Sequence, residues 1–263
     1  MNNKPLEILE KEKELKDEIL LRRPDIEKIE ILLNSEINSD IDYKDNNGKS
    51  PIIWATRGGH LEIVDLLLSK GADPNDTDTT DGFTPLIEAS KGGHLEIIDL
   101  LLSNGADPNI QDNNGCTPLL WASRQGTVDV VNLLLSEGAD PNIQDNTGDT
   151  PLLWASYRGY YDIVSSLLNH GSEPNIQDNM GDTPLDLAFE NNHSDVVELL
   201  LSKGANIPTN ILANVSEEIK EILSKWHTIV LILINTELQK SLGYFPLSEH
   251  ILDIHYYIYY GTL

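Results

Sequence analysis

The feature that most constrains this chain is a dipeptide that returns at a fixed interval. Thr-Pro, or Ser-Pro in one case, recurs in steps of 34, 33, 33 and 33 residues, at Pro51, Pro85, Pro118, Pro151 and Pro184. A fixed period of this size is the sequence signature of a stacked repeat array. We therefore expect units that bury their apolar faces against each other, because a single unit cannot cover its own apolar surface.

Each residue type in the third unit has a local structural role. Gly115 sits in a turn sequence where a positive φ is expected. Thr117 can cap a helix, and Pro118 suits the first helical position, where no amide donor is needed. Gly126 ends this first helix, and Gly138 is expected to end a second helix in the left-handed conformation. The apolar side of that second helix is formed by Val128, Val130, Val131, Leu133, Leu134 and Leu135.

This unit resembles the ankyrin repeat, in which a tight hairpin is followed by two antiparallel helices. The matching residues are Asp112, Gly115, Thr117, Pro118, Leu119, Ala122, Gly126, Gly138, Ala139 and Asp140. The resemblance implies an all-α solenoid of helix-turn-helix units with short hairpin loops and a helical cap at each end. The family's usual His after Thr-Pro-Leu is replaced by Ile53, Ile87, Leu120, Leu153 and Asp186. Its turn-linking hydrogen bond is therefore not expected, and unit five also has Asn192 in place of a glycine.

The resemblance also predicts how the chain is divided. An N-terminal helical cap, which is a degenerate repeat, covers residues 1–44. Five repeats cover residues 45–207, as units 45–78, 79–111, 112–144, 145–177 and 178–207. A degenerate sixth repeat follows over 208–225, and a C-terminal helical hairpin over 226–263.

The N-terminal cap is predicted to begin with a charged helix over residues 5–22. Its apolar positions are Leu6, Leu9, Leu15, Ile19 and Leu20. A second helix starts at Asp25 and directs Ile26, Ile29, Leu32 and Leu33 inward. The Glu/Lys run over residues 10–18 is interpreted as a solvated helix face with ion pairs four residues apart.

Charge excludes some classes of partner. The chain has 18 Lys and Arg against 43 Asp and Glu, a formal net charge of −25. This balance argues against binding to nucleic acid or to an anionic membrane.

The longest apolar run, residues 229–234, is far short of the about 20 residues that a membrane helix needs. A single cysteine, Cys116, excludes an internal disulfide and fits a reducing compartment, so we expect a cytoplasmic protein. We also expect a monomer rather than a homodimer.

The sequence carries no catalytic or metal-binding signature. His60, His94 and His193 recur with the repeat, so they are interpreted as structural residues that bond backbone at a helix start. The extra residue in the second unit lies within residues 76–82, where a calcium loop would need carboxylates at Thr77 and Thr79. We therefore expect no catalytic residue, no metal and no cofactor, and the chain is not predicted to be an enzyme.

The resemblance implies a protein partner bound in a concave groove made by hairpin tips and first helices. The groove positions predicted to bind it are Lys49, Arg57, Phe83, Lys91, Arg124, Tyr157, Arg158 and Tyr160. Five of the seven Lys and Arg in residues 45–207 fall on groove positions. A basic stripe inside an acidic solenoid predicts a partner with an acidic segment. Trp54, Trp121 and Trp154 repeat at a position predicted to face the neighbouring unit as core.

The last forty residues weakly resemble the helical ends of ankyrin proteins from large DNA viruses, notably those infecting amoebae. The matching positions are Lys225-Trp226, Leu238-Gln239, Tyr244 and Leu252-Asp253. This tail has three interpretations: a cap on the last repeat, an adaptor that recruits a ubiquitin ligase, or a homodimer contact. The predicted function is a non-catalytic protein-protein interaction scaffold, acting on host factors in the host cytoplasm if viral. The alternative is a substrate-recognition adaptor of a ubiquitin ligase.

Overall fold

The computed structural model describes residues 6–34, 41–206, 221–222 and 225, and in this part of the chain twelve helices form and no strand. The helices are α1 Leu6–Ile19, α2 Ile26–Leu33, α3 Pro51–Arg57, α4 Leu61–Ser69, α5 Pro85–Gly92, α6 Leu95–Ser103, α7 Pro118–Gln125, α8 Val128–Ser136, α9 Pro151–Arg158, α10 Tyr161–Asn169, α11 Pro184–Glu190 and α12 Ser194–Ser202. From α3 onward they form five pairs with the same order in each pair. The predicted C-terminal hairpin and most of the predicted sixth repeat lie outside the described residues.

The helix boundaries in each unit follow from a threonine, a proline and two glycines. The Thr117 hydroxyl accepts a hydrogen bond from the Leu120 N–H at 3.2 Å, and Pro118 occupies the first turn of α7. Gly126 ends α7 at φ +81°, and Gly138 follows α8 at φ +87°. Both glycines have the left-handed backbone that a side chain disfavours. The predicted caps of the third unit are therefore confirmed.

Unit five keeps the same boundaries with different chemistry. Asn192 adopts φ +58° where the earlier units use glycine, as the only non-glycine residue with positive φ in the described segments. Asparagine tolerates this conformation better than other residues with a side chain. Asp186, at the family's histidine position, completes a capping box, because its carboxylate accepts the Thr183 N–H at 2.9 Å.

The array curves because its two rows of helices pack differently. The first helices of the units, α3, α5, α7, α9 and α11, contact one another more closely than the second helices, α4, α6, α8, α10 and α12, do. The row of first helices therefore lies on the inner, concave side. The core runs between the rows, with Leu67, Leu101, Leu134, Leu167 and Leu200 fully buried at one repeating position.

A ladder of asparagines joins neighbouring units in the loops between each second helix and the following hairpin, a role that the sequence did not reveal. The Asn142 side chain donates to the Gly171 carbonyl at 3.0 Å and accepts the Glu173 N–H at 2.8 Å. The same pair of bonds to the next unit is made by Asn75, Asn109, Asn142 and Asn175. Two bonds from one amide fix both the spacing and the rotation of successive units.

The N-terminal helix differs from its prediction. Leu15 and Ile19 are buried, but Leu6, Leu9 and Leu20 are exposed, as is Ile26 at the start of α2. The helix α1 packs on α2 and α3 through one narrow strip, so apolar residues outside that strip face solvent.

The Glu/Lys run of α1 is not simply a solvated face. Glu12 and Glu18 are buried, and Lys16 forms an ion pair with Asp45 in the first hairpin. The Tyr43 hydroxyl donates to the Glu12 carbonyl at 2.7 Å. Glu10, Lys13, Glu14 and Asp17 are exposed, as that interpretation expects, and Lys11 pairs with Glu7 four residues before it. Only part of the polar side of α1 is thus docked on its neighbours.

Candidate protein-binding groove

Three residues from each unit build the concave surface, which we call the groove. The first lies in the hairpin just before the helix cap: Lys49, Phe83, Cys116, Asp149 and Asp182. The second is the fourth residue of the first helix: Trp54, Glu88, Trp121, Trp154 and Leu187. The third is the seventh residue of that helix: Arg57, Lys91, Arg124, Tyr157 and Glu190. Because the period is constant, each set forms a row along the solenoid.

Cations and aromatic rings alternate along the middle of the groove. Lys91 Nζ lies 3.8 Å from the centroid of Phe83 and 4.7 Å from that of Trp121. Arg124 Cζ lies 5.4 Å from the Trp121 ring and 4.5 Å from the Trp154 ring. A cation over an aromatic face is attracted by the ring quadrupole. These contacts hold the charged groups in place before any partner binds.

The same arrangement continues into the fourth unit. Trp154 and Tyr157 meet edge to face, with centroids 5.9 Å apart, and Arg158 Cζ lies 5.7 Å from the Tyr157 ring. We call the whole series the cation–aromatic ladder, which consists of Phe83, Lys91, Trp121, Arg124, Trp154, Tyr157 and Arg158. Arg124, Tyr157 and Arg158 are exposed, and Lys91 is half-buried.

Four of the cations in and beside the groove have no carboxylate partner within the described segments. Within the described segments, Arg57, Lys91, Arg124 and Arg158 form no ion pair, although acids outnumber bases 43 to 18 in the chain. Lysines elsewhere, such as Lys16 and Lys28, do pair with acids. The four groove cations therefore keep their charge available to a ligand.

Two residues predicted to contact a partner are not free to do so. The side chain of Lys49 is 11% exposed and forms ion pairs with Asp78 at 2.5 Å and Glu88 at 3.6 Å. Phe83 is 9% exposed because it lies beneath Lys91 and against Trp121. Both belong to the support of the groove, so the prediction of direct partner contact is corrected for these two residues.

Tyr160 is also held within the array. Its ring lies over Gly126 of the preceding unit, where an added Cβ would come within 2.9 Å of the ring. His94 and His193 lie in the same way over Gly59 and Gly159. His94 and His193 thus have the structural role that the sequence predicted, but the predicted bond at the helix start is wrong, because none of His60, His94 and His193 caps its helix through the side chain. His193 Nε2 lies 3.1 Å from the carbonyl oxygen of Tyr157 instead.

The three repeated tryptophans are not equivalent. Trp54 is buried, as the core interpretation expects, but Trp121 and Trp154 are half-buried with a cation over each ring. These two form the floor of the cation–aromatic ladder. The Trp121 indole N–H donates to Asp112 at 2.9 Å, whereas the buried indole N–H of Trp154 has no acceptor among the described residues.

The extra residue of the second unit is absorbed within its hairpin. The Asp78 N–H bonds the Phe83 carbonyl five residues on, whereas Asp112 bonds Cys116 four residues on. The Asp78 carboxylate accepts N–H bonds from the turn and pairs with Lys49. Burial raises the pKa of Asp78, but these bonds outweigh burial and hold its pKa below the ordinary value. The described residues contain no group of three His, Cys, Asp or Glu side chains that could hold a metal ion.

The groove changes sign at its C-terminal end. Asp149 and Asp182 replace the Lys, Phe and Cys of the earlier hairpins. Burial raises the pKa of Asp149, and the charges of Asp145 and Asp178 raise it further. The stripe is therefore basic in its first three units and mixed in the last two, a difference that the sequence analysis missed.

Cys116 offers no reactive thiol. Its side chain is buried in the third hairpin, with Sγ 3.8 Å from an Asp145 oxygen. Burial, with the nearby charges of Asp112 and Asp145, raises the pKa of the thiol to about 12. The thiol therefore stays protonated at neutral pH and is a poor nucleophile.

The geometry defines a class of protein: a curved solenoid of helix pairs with hairpins on its concave edge. The chain matches the family described as Ankyrin repeats (3 copies) over residues 20–78, 76–145 and 134–211. The chain belongs to the ankyrin repeat family, whose repeats are protein-protein interaction modules and generally not catalytic. No curated protein matches it. In the part of the chain that the structure describes, no helix has both the length and the apolarity needed to cross a membrane.

Proposed function

We propose that this chain is a non-catalytic scaffold that binds an extended, acidic segment of a protein partner along its groove. The carboxylates of that segment lie against Lys91, Arg124 and Arg158, with Arg57 extending the row towards the N-terminus. Tyr157 supplies a flat apolar contact beside Arg158. Lys49, Phe83 and Tyr160 support the surface from within.

One observation carries this proposal. Arg57, Lys91 and Arg124 lie in one row, with Arg158 one residue beyond that row position in α9, and none of the four forms an ion pair within the described segments of a chain with a net charge of −25. Intramolecular acids could neutralise such cations easily, as they do for Lys16 and Lys28. Exposed guanidinium groups bind carboxylates in bidentate pairs. The aromatic rings restrain Lys91, Arg124 and Arg158, which lowers the entropy lost when a partner binds.

The size of the partner segment follows from the spacing of the units. Neighbouring first helices pack about 10 Å apart, so three units span about 30 Å, and an extended peptide of about ten residues covers them. A fluorescein-labelled peptide of alternating glutamate and serine, about ten residues long, is therefore a suitable probe for fluorescence polarisation.

Reversing two charges should weaken this probe markedly. We expect the double variant Arg124→Glu with Arg158→Glu to bind it about tenfold or more weakly, since each exposed pair contributes about 1 kcal/mol or less and each reversal adds repulsion. The affinity of the parent chain should also fall as salt is added, and the double variant should lose most of this salt dependence.

The matched control is Lys70→Glu with Lys203→Glu, which changes the net charge equally. Both lysines follow second helices, away from the groove, and each donates to an asparagine, Asn34 or Asn169. We expect this control to keep the parent's affinity within about twofold, because distant charges are screened. Equal weakening in both double variants would show an effect of net charge alone and would reject the groove.

The ligase-adaptor alternative and a role on host factors depend on residues 226–263, which lie outside the described residues. If the tail is only a cap, a chain ending at residue 225 should aggregate because it exposes an apolar face. If the tail is an adaptor, that chain should stay soluble, bind the acidic peptide and lose ligase components in a pull-down. A soluble shortened chain that keeps every partner would contradict both. We place either function in the cytoplasm.

A further inference from the structure

A charge reversal marks the junction between units four and five. Elsewhere in the groove, a side chain from one unit reaches the first aspartate of the next hairpin: Lys49 pairs with Asp78 at 2.5 Å, and Cys116 Sγ lies 3.8 Å from an Asp145 oxygen. At the repeat position of Lys49, unit four carries Asp149, and the aspartate that it faces is Asp178. An acid thus lies against an acid where the same architecture elsewhere holds a lysine.

Lys16 shows what kind of group completes such a site. It comes from α1 rather than from a hairpin, yet its ammonium pairs with Asp45, the first aspartate of unit one. The same Nζ lies 5.2 Å from the centroid of the Trp54 ring. The chain therefore fills this position twice with a lysine that contacts an aspartate and an aromatic ring, since Lys49 Nζ also lies 5.8 Å from the Phe83 ring.

The pKa of the buried aspartate is shifted in opposite directions at the two kinds of junction. At the filled junctions burial raises the pKa of Asp45 and Asp78, but the lysines and backbone donors outweigh it, and both pKa values lie below the ordinary value. At the unit four–five junction no cation pairs with Asp149 or Asp178 among the described residues. Burial raises the pKa of Asp149, and repulsion from Asp145 and Asp178 raises it further. The Thr147 hydroxyl and the charge of Arg124 lower it, but the pKa stays above its ordinary value.

The junction contains a pocket of about 260 Å³. Its lining residues are Asp149, Leu153, Trp154, Tyr157, Arg158, Asp178 and Leu187. Sites for drug-sized ligands usually measure about 300–1,000 Å³, so this smaller pocket has room for one long side chain but not for a larger group. Its walls combine the edge-to-face pair of Trp154 and Tyr157 with two carboxylates, which suits a cation on an apolar stem.

We propose that a lysine side chain of the bound partner fills this pocket, with its ammonium between Asp149 and Asp178 and its methylenes against Trp154 and Tyr157. The inference rests on the proposed function, since the lysine belongs to the same segment whose acidic part lies along the cation–aromatic ladder. Arg158 at the pocket disfavours an isolated cation and favours a lysine with a neighbouring carboxylate. Because the groove is basic at its N-terminal end and acidic near Asp149, the lysine and the acidic part of the segment can bind in one direction only.

The test uses four labelled peptides and fluorescence polarisation with the full chain. Each peptide is the glutamate–serine probe with one added lysine, at its N-terminal or C-terminal end, or with acetyl-lysine at the same place. Acetylation removes the charge and keeps the methylenes. We expect the lysine form to bind about five- to tenfold more tightly at one of the two ends, as a cation–π contact with a partly buried ion pair would give.

Two variants of Asp149 test the assignment to this pocket. Asp149→Asn should reduce the preference for lysine over acetyl-lysine to about twofold or less, without weakening the acetyl-lysine peptide. Asp149→Lys should abolish the preference because it supplies the cation from within, as Lys49 does for Asp78. It should also raise the denaturation midpoint above the parent's, since an ion pair replaces two repelling acids.

The outcomes separate this inference from the proposed function. Equal affinity for lysine and acetyl-lysine peptides at both ends overturns the lysine pocket, while sensitivity of the same peptides to the Arg124/Arg158 reversal preserves the acidic groove. A preference for lysine that survives in both Asp149 variants places the contact elsewhere and also overturns the inference. Absence of binding by all four peptides rejects the groove proposal and the pocket with it.

Discussion

Leu134→Ala is expected to lower the free energy of unfolding by about 2–5 kcal/mol. Leu134 is fully buried in α8, in the central unit of the array. Its truncation removes apolar contact and leaves a cavity that rigid neighbouring helices cannot close. Because repeats are stabilised by contacts between nearest neighbours, damage to the central unit also weakens its coupling to units two and four. Urea unfolding followed by circular dichroism measures this loss.

Leu133→Ala is the matched control, one residue away on the same helix. Leu133 is half-buried, so the same chemical change should remove less buried surface and cost about 1 kcal/mol, scaled from the area it covers. Equal midpoints for Leu134→Ala and the parent would mean that position 134 does not form the core between units. An equal loss in both variants would mean that helix propensity, rather than burial, determines the change.

The repeat unit could be predicted from the sequence because its determinants are local and occur five times. Thr117, Pro118 and Gly126 define the bounds of α7 through a cap, a fixed φ and a left-handed residue, all within one short segment. Leu134 could be assigned to the core because the spacing of apolar residues along a helix shows which side is buried. The groove positions were implied by the resemblance to ankyrin repeats, and the repeat register then assigned the equivalent residues in each unit.

Contacts between units could not be read from the sequence in the same way. Lys49 and Arg57 both fall on groove positions, yet Lys49 is buried by Asp78 at the start of the next hairpin and by Glu88, while Arg57 stays exposed. Such contacts join residues about one repeat apart, and their strength depends on side chains that vary between units. The same limitation hid the pairing of Lys16 with Asp45, because nothing in a charged helix specifies which hairpin it meets.

Lys49→Met should destabilise the chain by about 3–5 kcal/mol at neutral pH, because breaking a buried ion pair from one side leaves charge without compensation. Lys49 Nζ serves both Asp78 at 2.5 Å and Glu88 at 3.6 Å, and all three side chains are at most 11% exposed. Methionine keeps the apolar stem beside Phe83, so the measured loss reports mainly the missing charge. Urea unfolding of the variant beside the parent gives the difference.

Lys44→Met is the control for this loss. Lys44 lies just before the first hairpin and pairs with Asp76 just before the second, but a third of its side chain, 33%, is exposed. An exposed pair contributes about 1 kcal/mol or less, so this variant should stay close to the parent. If the two methionine variants lose the same stability, burial of the Lys49 cluster has no energetic role.

The pH dependence of the stability lost in Lys49→Met shows how much of that loss is electrostatic. The folded-state pKa of Asp78 lies below the ordinary value, so its ion pair contributes fully above the unfolded-state pKa of about 3.9. That contribution is lost as the pH falls through the folded-state pKa, where the carboxylate gains a proton and no longer needs a cation. The difference between parent and variant should therefore be largest near pH 7 and should shrink below about pH 4. A difference that stays constant across this range would assign the loss to packing around Phe83 instead of to charge.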